Sequence, residues 1–261
     1  VAILPPQLAA LANGRCAAQP ILVALNENEL AYTLGMLVAP TNSEIEQLSD
    51  AADLRWSLPN GDDLATSLYF QATLAASRAE PESLTLASGD NNALLALVEE
   101  TADVATATFT PPLLPFGEPW LLGESDPEPW REVGLFPARS PQGYIWVQGD
   151  PENGGYRPRD ARAGIFDIAN DVFQTTRIVQ LGAPIPNETI LLGAQFPFAL
   201  AQQLEDELLM LLSSTGCQRS LCAADWHAWQ GAAPVSAAKF EPVQFIIQQL
   251  ALDDEAIYRL P

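Results

Sequence analysis

The sequence predicts an α/β fold, and three features of the chain lead to that prediction. Apolar residues make up 48% of the 261 residues and charged residues only 17%, which is typical of a globular chain with a large core. Strand-like and helix-like patterns alternate between residues 53 and 108, as in a parallel sheet with crossover helices. The longest apolar runs are far shorter than the roughly 20 residues that a membrane helix requires, so no membrane-spanning segment is predicted.

Short strands are predicted over the first 60 residues. Residues 1–4 are strand-like, and residues 20–25 and 34–39 are two apolar runs separated by a polar connection. A further strand is predicted over residues 53–58. Pro59-Asn60-Gly61 ends this strand, because proline and glycine interrupt regular structure.

Two helices then alternate with two strands. The first helix is predicted over residues 62–77, where apolar residues recur at helical spacing and two acidic residues suit the positive end of the helix dipole. A strand over residues 83–87, a helix over residues 91–100 and a strand over residues 103–108 follow. This order predicts parallel strands joined by crossover helices.

A proline-rich and aromatic-rich segment interrupts this pattern from residue 111. Ten prolines fall between residues 111 and 160, and five Trp or Tyr residues lie among them. Helices do not persist through such a proline density. We predict an insertion over residues 111–175, with a hairpin or long flap over residues 143–156.

Regular structure is predicted to resume after the insertion. Strands are expected over residues 176–181 and 189–193, and helices over residues 197–214 and 242–250. The helix over residues 197–214 has an apolar stripe made of Leu200, Leu204, Leu208, Leu211 and Leu212.

The net charge excludes some partners. The chain has 33 acidic and 12 basic residues, which gives a formal charge of −21. Nucleic acid and anionic lipid would repel such a surface, so no nucleic-acid partner is predicted. Most of this acidity is interpreted as a solvated surface.

Motifs for catalysis and for cofactors are missing from the sequence. His227 is the single histidine, and no Gly-x-Ser-x-Gly nucleophile motif accompanies it. Neither a dinucleotide-binding nor a nucleoside-triphosphate-binding glycine motif is present. We therefore predict no catalytic residue, no cofactor and no metal, and a binding role rather than an enzyme.

The three cysteines leave two interpretations open. Cys16 stands alone, whereas Cys217 and Cys222 lie five residues apart. A local disulfide between Cys217 and Cys222 in an oxidising compartment and two buried thiols both fit this spacing. Structural zinc is not indicated, because it needs about four clustered ligands.

Several segments together resemble a known family. The tyrosine-bearing strand over residues 31–38, the helix that includes residues 69–74, and the segment over residues 89–105 match its pattern in order. The turn over residues 183–188, Ala-Pro-Ile-Pro-Asn-Glu, is the most specific of these matches. The chain thus resembles the periplasmic phosphonate/phosphate-binding family of ABC-transporter substrate-binding proteins, which has the type II periplasmic-binding-protein fold.

The resemblance implies two α/β lobes that close on a small solute by a hinge motion. Residues 1–20 and 176–261 would belong to lobe one, residues 21–110 to lobe two, and residues 111–175 to the insertion and hinge return. Family members have more of lobe one before the strand matched to residues 1–4, so the N-terminal part of lobe one is expected to be missing here. The implied role is an extracytoplasmic, periplasmic or cell-surface solute-binding component that serves an ABC permease, with a lipid anchor on a missing N-terminal segment as one expectation.

The resemblance also implies a set of ligand-binding residues and a change of ligand. The family's anion-binding turn falls near residues 63–66, where hydroxyl residues are mostly replaced and the neighbouring carboxylates would oppose an anion. A neutral or amine-bearing solute is therefore expected in place of a phosphonate. The residues implied to line the site are Tyr32, Asn60, Gly61, Asp62, Asp63, Asn91 and Asn92.

Two alternatives remain from the residues themselves. A small-molecule enzyme on the same fold would need Cys16 or His227 beside the predicted site. A binding module would act through exposed aromatic residues of the insertion, which stack on sugars or on a protein partner. Its candidate residues are Trp120, Trp130, Tyr144 and Trp146.

Overall fold

The computed structural model describes residues 1–147 and 154–260, so the predicted flap over residues 143–156 lies partly outside the described residues. The chain divides into two compact units. Unit 1 consists of residues 1–33 and 183–261, and unit 2 of residues 34–182.

The elements alternate much as the sequence predicts. The strands, in chain order, are β1 (Ala2–Leu4), β2 (Gln19–Ala24), β3 (Tyr32–Pro40), β4 (Arg55–Pro59), β5 (Ser83–Ala87), β6 (Val104–Phe109), β7 (Ala138–Arg139), β8 (Ile145–Trp146), β9 (Thr176–Leu181), β10 (Ile185–Pro186), β11 (Thr189–Leu192) and β12 (Ala232–Pro234). The helices are α1 (Pro6–Cys16), α2 (Tyr69–Ser77), α3 (Asp90–Val98), α4 (Val172–Thr175), α5 (Phe198–Leu212), α6 (Glu241–Gln249) and α7 (Asp254–Arg259).

Unit 1 contains an antiparallel sheet in the order β1–β11–β2–β12. Its buried core includes Leu22, Ile190 and Trp229, and the disulfide-bonded pair Cys217 and Cys222 lies in the same core with Cα atoms 5.0 Å apart. The α1 helix, which the sequence patterns did not indicate, packs against α6.

The apolar stripe predicted for the α5 helix is partly wrong. Leu204 and Leu208 pack on the core and Leu212 is buried, but Leu200 and Leu211 are 52% and 41% exposed. The leucines that contact the core recur every four residues along one face of the helix, and the two exposed leucines lie beyond one edge of that face.

Unit 2 contains a mixed sheet in the order β9–β3–β6–β4–β5. The β4 strand is parallel to both β5 and β6, which confirms the predicted crossover pattern over this segment. The β3 strand runs antiparallel to β6 and β9. The core under this sheet includes Trp56, Leu58 and Phe70.

The unit limits differ from the limits predicted for the lobes. The β2 strand pairs with β11 and β12, so residues 19–24 belong to unit 1. The β9 strand pairs with β3, so residues 176–181 belong to unit 2. The insertion over residues 111–175 lies wholly within unit 2.

A buried ionic cluster anchors the insertion. The Arg162 side chain is fully buried, and its guanidinium donates to both carboxylate oxygens of Asp160 at 2.9 Å and to Glu128 Oε1 at 2.7 Å. Glu128 Oε2 accepts from the backbone N–H of Ile178 in β9 at 2.8 Å. Trp130 is also buried, with its ring centroid 6.2 Å from that of Phe173.

Candidate functional site

The predicted site residues of unit 2 lie where three strands end. Because β4, β5 and β6 are parallel, their carboxyl ends meet at one edge of the sheet, which is the usual location of ligands in open α/β sheets. Pro59 pairs with Ala87 at this edge, and the Asn60 N–H donates to the Ala87 carbonyl at 3.1 Å. We call this region the carboxyl edge of β4, β5 and β6.

A tight turn leaves the β4 strand and includes four of the predicted residues. Asn60 is exposed and has a φ of 39°, a left-handed conformation that asparagine tolerates better than most residues. Its carbonyl accepts from the N–H of Asp63 at 3.1 Å. A side chain at Gly61 would meet the Leu86 side chain at 2.8 Å, whereas Asp62 is exposed.

The carboxylate of Asp63 occupies the start of the following helix. Its Oδ1 atom accepts from the N–H of Ala65 at 3.0 Å, from the N–H of Thr66 at 2.7 Å and from the Thr66 hydroxyl at 2.6 Å. The Ser67 hydroxyl donates to the Pro59 carbonyl instead. These N–H and hydroxyl groups at the first turn of the helix therefore already have hydrogen-bond acceptors within the protein.

The helix begins with a π-helical turn over Leu64–Leu68 before it continues as α2. Gly35 in β3 makes this turn possible, because a Cβ atom there would lie 2.2 Å from the Ala65 carbonyl oxygen. The widened turn thus packs directly on the backbone of β3, and π-helical turns are frequent at functional sites.

A second acidic residue, Asp90, is the first residue of the α3 helix and lies at the same edge. Burial raises the pKa of the Asp90 carboxyl, hydrogen bonds from Thr108 oppose that rise, and the negative charge of Asp63 adds to it. Thr108 belongs to β6. The carboxyl edge thus brings two carboxylates, Asp63 and Asp90, close enough to interact.

The two predicted asparagines lie on the first turn of α3. Both are exposed, and the Asn92 amide donates to the Ser88 hydroxyl at 2.7 Å. The Asn91 side chain lies against the insertion, since a Cβ atom at Gly164 would be 2.6 Å from Asn91 Oδ1. The insertion therefore borders the carboxyl edge through the 3₁₀-helix Ala161–Ile165.

The structure brings six of the predicted residues to this edge, and the seventh lies in the other unit. Tyr32 is half-buried at the start of β3 in unit 1, where burial raises the pKa of its phenol. Asp90 and Thr108 were not predicted as site residues. The only sequence signal for Asp90 was its place at a predicted strand-to-helix junction.

The single histidine is part of a packed cluster in unit 1. His227 Nδ1 lies 2.9 Å from Glu188 Oε2, which also accepts from Trp229 Nε1 at 2.9 Å. Trp229 is buried, and Cys16 is an exposed free thiol at the end of α1. In the part of the chain that the structure describes, no group of three or more His, Cys, Asp or Glu residues is arranged to hold a metal ion.

Unit 2 also has a groove away from the carboxyl edge. A groove of about 1100 Å³ lies at the opposite edge, where β4 and β6 begin, and its walls include Glu44, Asp50 and Asp171. Arg55 and Asp103, which also line it, form an ion pair of 2.6 Å. Ligands of open α/β sheets usually bind at the carboxyl ends of strands, so the carboxyl edge is kept as the candidate site.

Two α/β units, each built on its own sheet, are the architecture expected of a two-lobed solute-binding protein. A family model described as the periplasmic substrate-binding protein of phosphonate ABC transporters matches residues 1–240. The chain belongs to this family. It is the extracytoplasmic solute-binding component of an ABC transporter, and the family implies a small-molecule ligand and a permease partner.

Solved structures show which known proteins the chain is similar to. XAC2383 from Xanthomonas citri, solved bound to ATP and bound to chloride ion, is 14% and 15% identical to this chain, with a TM-score of 0.51. The match covers 95% of this chain and 76% of that protein. A binding protein component of an ABC phosphonate transporter from Pseudomonas aeruginosa is 12% identical over 98% of this chain and 73% of its own, with a TM-score of 0.44.

These comparisons confirm the predicted α/β fold of the type II periplasmic-binding-protein class and the predicted non-enzymatic role. A comparison with curated protein sequences finds no match. Among the described residues, no helix is both long enough and apolar enough to cross a membrane.

Proposed function

We propose that this solute-binding protein takes a neutral or amine-bearing solute, rather than a phosphonate, at the carboxyl edge of β4, β5 and β6. The single observation that carries this proposal is the position of the Asp63 carboxylate. It accepts two backbone N–H groups and one hydroxyl at the start of the helix. Free donors of this kind are what a tetrahedral oxyanion needs at a helix N-terminus.

An anion would also meet two negative charges at this edge. Asp63 and Asp90 interact electrostatically, and the neighbouring Asp62 is exposed. A phosphonate would have to displace the Asp63 carboxylate from three hydrogen bonds and then remain close to Asp90. Two carboxylates near a bound phosphonate would repel it and so oppose its binding.

A neutral or cationic solute has complementary groups at the same place. The Asp62 carboxylate and the amides of Asn60 and Asn92 lie on exposed positions around the edge, and carboxylate and amide oxygens accept from N–H and O–H donors. An ammonium group would gain from the surrounding negative charge instead of being repelled by it.

Isothermal titration calorimetry tests the proposal with methylphosphonate, inorganic phosphate, ethanolamine and putrescine as probes. We expect no heat of binding with the two anions and a saturable heat with an amine. In the Asp63→Ser variant the smaller neutral hydroxyl can cap one N–H group and leave the other donors of Asp63 free, so we expect it to gain binding of methylphosphonate or phosphate.

Asp62→Ser is the matched control, because it removes a charge from the same turn and frees no helix donor. We expect Asp62→Ser to remain unable to bind the anions. Tight binding of methylphosphonate by the wild-type protein would contradict the proposal, and so would a folded Asp63→Ser protein that binds neither anion.

We also propose that the protein is tethered outside the cytoplasm by a lipid anchor on a segment before residue 1. Support for this comes only from the family's extracytoplasmic role. The coding sequence upstream of residue 1 tests it. A signal sequence that ends in a lipid-modified cysteine is expected, and a signal sequence without that cysteine would refute the anchor.

A further inference from the structure

Large apolar side chains are exposed mainly on the insertion. Of the nineteen that the described residues expose, ten lie between residues 111 and 175. The structure separates the aromatic residues of this segment into two groups. Trp130 is buried and Trp120 contacts Phe109 with ring centroids 5.4 Å apart, whereas Tyr144 and Trp146 are 52% and 40% exposed.

The exposed rings line a groove of about 840 Å³ on the β7–β8 hairpin, which we call the aromatic groove. Its apolar walls are Leu135, Phe136, Pro141, Tyr144 and Trp146, and its polar groups are Arg139, Ser140 and Gln142. A mainly apolar lining that includes aromatic rings and a few polar side chains is the usual composition of a small-molecule site.

The Tyr144 and Trp146 rings of the aromatic groove each contact another part of the insertion on one face. The Arg157 guanidinium lies 4.2 Å from the centroid of the Tyr144 ring. The Trp146 ring lies on the backbone of Gly155, where a Cβ atom would be 2.8 Å from the indole. Each ring is thus supported by protein on one side and partly open to solvent, which reduces the entropy lost on binding.

The charge of the aromatic groove is unlike that of the whole chain. None of the nine residues that line it is acidic, although the chain carries a net charge of −21. The positive charge of Arg139 is balanced by its ion pair with Asp167 outside the groove. The groove therefore offers ring faces and neutral hydrogen-bonding groups such as Ser140 and Gln142, which fits an uncharged ligand.

We propose that the aromatic groove binds a neutral saccharide at a site distinct from the carboxyl edge. The apolar face of a sugar ring packs on an aromatic ring, and its hydroxyls donate to and accept from neutral polar side chains. The proposal does not rest on the identity of the solute at the carboxyl edge.

Calorimetry with cellobiose and N,N′-diacetylchitobiose tests this site. We expect at least one disaccharide to bind, and Tyr144→Ala or Trp146→Ala to weaken that binding by roughly tenfold each, because each removes a stacking ring. Trp226→Ala is the control, since Trp226 is an exposed aromatic residue of unit 1, outside the groove, and its loss should leave binding unchanged. Asp63→Ser should leave it unchanged as well, which separates this site from the carboxyl edge.

Three results would overturn the proposal. The first is that the folded wild-type protein binds neither disaccharide at millimolar concentration. The second is that a folded protein carrying both Tyr144→Ala and Trp146→Ala retains full affinity. The third is that sedimentation shows self-association that the double variant abolishes, since the groove would then be a contact between protein copies.

Discussion

Replacing the buried Arg162 by methionine should destabilise unit 2 strongly. The side chain of Arg162 is fully buried, and Asp160 and Glu128 are 2% and 4% exposed. Burial alone would lower the pKa of the guanidinium, but the two carboxylates outweigh burial and raise that pKa above its usual value, so the charge is retained. Arg162→Met leaves the buried Asp160 carboxylate without its ion pair and leaves Glu128 paired with Arg131 alone, at 2.9 Å.

The magnitude follows from the loss of one partner from a buried ionic cluster, which costs about 3–5 kcal/mol. For a chain of this length, 1 kcal/mol shifts the midpoint of thermal unfolding by roughly 2 °C, so a decrease of roughly 6–10 °C is expected. Differential scanning calorimetry measures the midpoint, and tryptophan fluorescence in urea measures the free energy of unfolding, with the buried Trp130 as a probe inside the insertion.

Arg139→Met is the matched control. Arg139 pairs with Asp167, but the two side chains are 40% and 76% exposed, so this substitution should cost less than about 1 kcal/mol. If Arg162→Met destabilised the protein no more than Arg139→Met does, the buried cluster would not anchor the insertion and the reasoning would fail.

Asp90→Asn should stabilise the protein at pH 7. Because burial raises the pKa of Asp90, the folded state binds more protons than the unfolded state between the unfolded pKa of about 4 and the higher folded pKa. The stability of the wild-type protein therefore falls as the pH rises through that range, and the variant avoids this loss. In urea unfolding, Asp90→Asn should have a higher free energy of unfolding than the wild-type protein at pH 7 but not at pH 3.5. An equal stabilisation at both pH values would exclude the titration of Asp90 as the cause of the stabilisation. Gly35→Ala should cost about 1–3 kcal/mol or more, because its Cβ would meet the Ala65 carbonyl at 2.2 Å and the backbone must shift. Gly164→Ala is its control, since the Asn91 amide that it meets can rotate away, and thermal unfolding should rank the two variants in that order.

The sequence patterns predicted the fold of unit 2 better than the limits of the units. Strand–helix alternation is a local signal, and it identified β4, β5, β6 and the helices between them. The pairing of β2 with β11 joins residues far apart in the chain, and no local pattern in the sequence reports it. The unit limits therefore became visible only in the structure.

The candidate site was predicted in part, for a similar reason. The turn over residues 60–63 was recognised because helix starts have local sequence signatures. The hydrogen bonds that Asp63 makes were not, since an acidic residue before a helix is equally expected to cap it or to face a ligand. The role of Gly35 depends on the close approach of a distant carbonyl, which only the three-dimensional arrangement shows.

The place of β11 in the sheet of unit 1 has a consequence for the order of folding. The β1 and β2 strands do not pair with each other, because each pairs with β11, which begins only at Thr189. Unit 2 is continuous in the chain and is complete at residue 182, before that strand has been synthesised. A fragment of the chain that stops short of Thr189 should therefore hold a folded unit 2 and two strands with open edges, which are sites for mispairing with other chains.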